Sequence, residues 1–161
     1  MPKFIFTKLA EYNEVVTARL GAGTGSANQL TDKEVGKFVK LVAESRYDLC
    51  AVTNEIEGVI LALENATLDD YTIGSVQKTG RIEVTFDGLQ GTPGTGTVAL
   101  GDYVVAGTVV AKGTDQAAFT TPPKVCKATA AGTGIVHTWR VVSLGSAGTG
   151  AVGTKGLIER V

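Results

Sequence analysis

Side chains that carry chemistry are scarce in this sequence. It has one histidine, His137, and two cysteines, Cys50 and Cys126. With so few soft ligands, a zinc site would need carboxylates at unremarkable spacings to reach four donors. Neither a metal nor a cofactor is therefore expected. A Cys50–His137 or Cys126–His137 pair is the one nucleophile–base pairing the composition allows. His137 sits mid-strand beside Thr138 and Trp139 with no nucleophile motif near it, so it reads as a packed strand residue. The cysteines form no Cys-x-x-Cys pair and read as buried free thiols of a reducing compartment. Sequence gives no distance between them, so a disulfide stays open.

Positive charge is also lacking. Formal net charge is −1, and no basic run or aromatic RNA-reading motif stands out. Phosphate-backbone binding favours the opposite balance, so nucleic acid is not an expected partner. Long apolar runs are missing too. The opening MPKFIFTKLAEYNEVV is too short in apolar residues for a signal peptide. Nothing approaches the length of a membrane span, so no membrane partner is expected and synthesis in a host cytoplasm is. Asn65-Ala66-Thr67 then matches the glycosylation pattern by chance. Charged residues are only 19% of the chain, below the usual quarter.

What the chain has in quantity is glycine, 21 of 161 residues, set between short β-branched runs. The length is that of one domain. Residues 1–27 read as an N-terminal arm, closed by the loop GAGTGS at 21–26. Phe4, Phe6, Leu9, Tyr12 and Val15 are its candidate partner-contacting residues. Residues 28–161 read as a single β-rich domain. Thr31-Asp32-Lys33-Glu34 is a capping-box pattern, and Gly36 limits the helical turn to about residues 31–36. Residues 38–43 then alternate as a strand. Gly58 to Leu63 is short and β-branched, hence strand. Thr79-Gly80 predicts a hairpin joining residues 71–76 to 81–86. In the latter, Ile82, Val84 and Phe86 face one way and Arg81, Glu83 and Thr85 the other. Gly101-Asp102 turns between two Val-rich strands, and residues 135–142 form a strand with the single tryptophan. Short strands and glycine turns about every ten residues define an all-β chain. The expected architecture is an antiparallel β-sandwich, jelly-roll-like, or a small barrel.

Two motif matches carry no chemistry. Residues 148–153 spell G-x-G-x-x-G, but the chain ends at Val161. A dinucleotide fingerprint needs a following helix and an acidic residue about twenty positions on. Asp69-Asp70 and Glu55/Glu57 are the nearest things to paired carboxylates and read as solvated loop charge. No catalytic residue is assigned, and the protein is not expected to be an enzyme.

Several runs together carry a family resemblance. They are Leu30-Thr31-Asp32-Lys33-Glu34-Val35-Gly36-Lys37-Phe38-Val39-Lys40-Leu41, then Glu57-Gly58-Val59-Ile60, Gly74-Ser75-Val76-Gln77 and Gly80-Arg81-Ile82-Glu83-Val84. Gly101-Asp102-Tyr103-Val104 and Thr138-Trp139-Arg140-Val141 follow. In these runs, over about residues 28–142, the chain resembles the capsid decoration (cement) proteins of tailed bacteriophages. The resemblance implies a virion structural protein on the outside of an icosahedral capsid. Its partner would be the major capsid protein of an HK97-type shell, which it would bridge and stabilise as a homo-oligomer, dimer or trimer. It carries over no catalytic, cofactor-binding or metal-binding residue. The alternative is a head-fibre or tail-associated domain that binds a receptor or glycan through exposed aromatics such as Tyr71, Tyr103 and Trp139. A small-ligand β-barrel or enzyme would instead need polar groups converging near His137.

Overall fold

Five short strands close on themselves to form the first half of the molecule. The computed structural model describes residues 14–22, 28–64, 72–116, 121–129 and 137–161. The strands are β1 (Val15–Leu20), β2 (Phe38–Ala43), β3 (Arg46–Leu49), β4 (Gly58–Glu64) and β5 (Thr72–Gln77). They form a closed barrel in the order β1-β3-β2-β4-β5. Alternation decides which side chains enter it: Ala18 and Leu20 from β1, Val39 from β2, Tyr47 from β3, Ile60 from β4 and Val76 from β5. Leu30 plugs the same core from the connection before β2. A 3-10 turn, Asp32–Glu34, lies within the predicted helical region.

Within the expected arm of residues 1–27, residues 15–20 are a barrel strand. Residues 15–20 pair with β5 along their whole length, from Val15↔Gln77 to Leu20↔Thr72. The reason is the inward row Val16, Ala18 and Leu20, which the barrel core buries.

The second half is a more open sheet. Its strands are β6 (Arg81–Leu89), β7 (Thr92–Pro93), β8 (Thr97–Val98), β9 (Val104–Ala106), β10 (Lys124–Lys127), β11 (Trp139–Ser143), β12 (Gly150–Ala151) and β13 (Lys155–Arg160). The main order is β11-β13-β6-β10-β9, with β7 on β6 and β12 paired to β8. The outer strands turn towards each other: Gly101 N–H donates to Val141 O at 2.9 Å and Val141 N–H to Asp102 O at 2.9 Å. The molecule is thus all-β, as the composition implies, and contains a small barrel. Two pairings are parallel, β1 with β3 and β6 with β10, where an antiparallel fold was expected.

The predicted hairpin at Thr79-Gly80 does not form. β5 pairs with β1 and β4, while β6 pairs with β13, β10 and β7. Gly80, at φ 86°, carries the chain from the barrel to the second sheet instead. The inward row of β6 is as read, with Ile82, Val84 and Phe86 buried. Thr85 is buried as well, against expectation. The parallel strand β10 covers it, and its hydroxyl donates to Pro122 O at 3.2 Å.

The connection between β3 and β4 locks the two halves together. Thr53 N–H donates to Ala106 O at 2.8 Å, and Ala106 N–H to Asn54 O at 3.0 Å. The Trp139 indole N–H donates to Ile56 O at 2.9 Å. One apolar cluster spans the joint, with Phe38, Cys50, Ile56 and Val59 against Val84, Phe86, Val104, Val125, Trp139 and Ile158. Gly156 shows how close this packing is. A Cβ there would meet the Phe86 ring and the Ser143 carbonyl. Gly156→Ala should cost about 1–3 kcal/mol by overpacking. Urea titration checks this; a midpoint equal to the parent's would mean that the Phe86 ring yields freely.

Candidate partner-contacting surface

Of the five candidate contact residues, only Val15 falls among the described ones. Phe4, Phe6, Leu9 and Tyr12 lie outside them. Val15 begins β1 on the outer face of the barrel and is 48% exposed. Leu41, Val42 and Leu61 are also exposed on barrel strands.

The exposure on β2 has a topological cause. β2 meets β4 only at Phe38↔Val59 and Val39↔Gly58. Beyond Val39 it has no strand partner on that side among the described residues. The alternation over residues 38–43 thus describes a strand, but not two different environments. Phe38 and Val39 are both buried, whereas Leu41, Val42 and Ala43 are all exposed. A register shift between Leu41 and Ala43 marks where the strand leaves the regular ladder. Leu41 and Val42 therefore present apolar side chains where the β2–β4 ladder has ended.

The residues weighed for catalysis fall elsewhere. His137 Nδ1 lies 2.5 Å from Glu55 Oε1, and Nε2 lies 3.2 Å from Thr129 O. Both ring nitrogens are thereby held by oxygen partners rather than by a thiol. Burial pushes the Cys50 thiol up to about 12 and the Cys126 thiol up to about 11. Both cysteines are free and buried, and such thiols are poor nucleophiles at neutral pH. Glu57, the other glutamate of that loop, pairs with Arg160 at 3.2 Å. Sequence reasoning missed both pairs because 82 and 103 positions separate the partners. Asp69, Asp70 and Tyr71 lie outside the described residues. Trp139 is fully buried, so it cannot belong to an exposed aromatic cluster, although Tyr103 is exposed.

Residues 148–153 form a turn leading into β12 and a second turn at Gly153, where φ is 84°. No dinucleotide-type helix follows; β13 does. Among the described residues no group of three or more His, Cys, Asp or Glu side chains could hold a metal ion. No helix among them is long and apolar enough to cross a membrane.

Two carboxylates are buried and fully engaged. Glu34 accepts from Thr31 N–H at 2.6 Å, from the Thr31 hydroxyl at 2.9 Å and from Gly113 N–H at 2.5 Å. Lys37 Nζ lies 3.4 Å from it. Asp87 accepts from Thr108 N–H at 2.7 Å and pairs with Lys124 at 3.5 Å. Burial alone would raise both groups. The hydrogen bonds and the lysine charges outweigh it and hold both carboxyls below their ordinary values. Comparison of the chain with family models, with curated proteins and with solved structures finds no match to any of them.

Proposed function

We propose that this chain is a virion structural protein that decorates the outside of an icosahedral phage capsid. It binds the major capsid proteins of the shell and bridges neighbours, as the sequence resemblance implies. The observation that supports this reading best is the apolar exterior of the barrel. Leu41, Val42, Leu61 and Val15 stand exposed while the interior of the same barrel is filled. Exposed apolar side chains on several strands of one barrel suit a protein that docks on a lattice. Each contact is small, but many equivalent copies on a shell add to the total hold.

The test is density-gradient fractionation of the cells or lysate that contain the protein, with mass spectrometry on each band. The chain should travel with large particles in fixed ratio to a shell protein. Residence in the free-protein fractions alone would overturn the reading. Leu41→Lys places a charge on the open strand edge without touching the core. It should weaken binding to purified shells more than tenfold while leaving thermal stability within about 0.5 kcal/mol, the usual range for a surface change.

A further inference from the structure

Residues 107–116, which follow β9, cross the surface of the joint between the two halves. Their ends are fixed: Gly107 N–H donates to Lys124 O at 2.8 Å, and the Gln116 amide donates to Thr121 O at 2.9 Å. Between those ends, none of residues 107–116 belongs to an apolar cluster of the described chain. Val109 is exposed, and so are residues 111–115. The span therefore adheres through polar contacts and not through buried area. Two of these converge on one ion pair. Gly113 N–H donates to Glu34, and Lys37 Nζ donates to Ala111 O at 2.8 Å.

That ion pair is unusual for a surface feature, because both partners are buried: Glu34 is 0% exposed and Lys37 5%. The span itself shuts them from water. Beneath it lies a cavity of about 20 Å³ bounded by Thr108, Val109 and Val110 above and by Phe38, Leu49 and Cys50 below. A thin span with few apolar contacts sits at the low-stability end of a fold, where local opening precedes global unfolding.

We propose that residues 107–116 form a strap, latched at its middle by the buried Glu34–Lys37 pair, and that undoing the latch opens the strap and bares Cys50 while the rest of the fold holds. The proposal stands independently of the decoration reading. The energetic logic is that an opened strap loses polar contacts, those to Glu34 and Lys37 and the Thr108 N–H bond to Asp87 among them, and gains hydration for two charges. The barrel and sheet cores keep all their apolar contacts.

The two cysteines supply an internal comparison. Cys126 is buried in a different cluster, with Val105 and Ala128. The full chain is alkylated with a maleimide at neutral pH under native conditions, and each cysteine is followed by mass spectrometry. In Glu34→Gln and in Lys37→Met, Cys50 should label at least tenfold faster than in the parent, with Cys126 unchanged. Hydrogen exchange should show faster exchange confined to residues 107–116 and the 3-10 turn. Equal acceleration of both cysteines would mean global loosening, and the strap idea fails. Unchanged labelling of Cys50 in both variants would show that the pair is not the latch, which overturns it equally.

Discussion

Trp139→Ala should be the most damaging single truncation in this protein. The indole is fully buried and its N–H holds Ile56 O at 2.9 Å. Ile56 is itself fully buried in the connection that ties barrel to sheet. Removing a large aromatic core side chain costs about 3–5 kcal/mol. The total for a domain is about 5–15 kcal/mol, so much of the stability would go. At about 2–4 °C per kcal/mol for a chain of this size, the melting temperature should fall by about 6–20 °C. Trp139→Phe separates the two contributions. It keeps most of the packing and leaves the Ile56 carbonyl without its donor, a loss of about 1–3 kcal/mol. Calorimetry on the three proteins gives the ordering directly. An alanine variant that melts with the parent would show that the joint is held by the backbone bonds of Thr53, Asn54 and Ala106 instead.

The same joint explains what the sequence could and could not reveal. Strand identity was legible where alternation was strict and one face met a core. Ile82, Val84 and Phe86 are the clearest case. The short helical turn was legible from Thr31 and Glu34, because capping is a local matter of four residues. Partner choice was not. Thr79-Gly80 has the chemistry of a hairpin turn, yet Gly74 and Val76 belong to the barrel and Val84 and Phe86 to the other core. Local turn residues specify a change of direction; the sheet that each flanking strand joins is set by apolar faces far away in sequence.

The exposed apolar positions of the barrel were legible only in part, for a related reason. Val15 was singled out as apolar near an end, and it is exposed. Leu41 and Val42 were read as strand residues with nothing to mark them as contacts. Their exposure follows from where β4 stops pairing with β2, which is a property of register and not of composition. Likewise, Glu34 reads as a helix cap in the sequence. Its bond to Gly113, 79 positions away, is what no local pattern could show.

Acid should destabilise the fold through Glu34 and Asp87 together. Both carboxyls lie below their ordinary values in the folded chain, so the unfolded chain binds protons more readily. Their contribution is fully present above the unfolded carboxylate range, about pH 4, and is lost as pH falls through the folded values. The melting temperature, followed by circular dichroism, should therefore drop steeply below about pH 4. Glu34→Gln and Asp87→Asn should each lower the neutral-pH plateau and flatten the acid limb, since the titrating group is gone. The plateau loss should be larger for Glu34→Gln. That change leaves Lys37 without its partner, so the folded chain either keeps a buried unpaired charge, at a cost of about 3–5 kcal/mol, or opens the strap to hydrate it. Lys124 is half exposed and can turn to water when Asp87 loses its charge. An acid limb of parental steepness in both variants would place the acid sensitivity in other carboxylates. A larger plateau loss in Asp87→Asn would mean that the Thr108 hydrogen bond, and not a stranded lysine, carries the greater share of the stability.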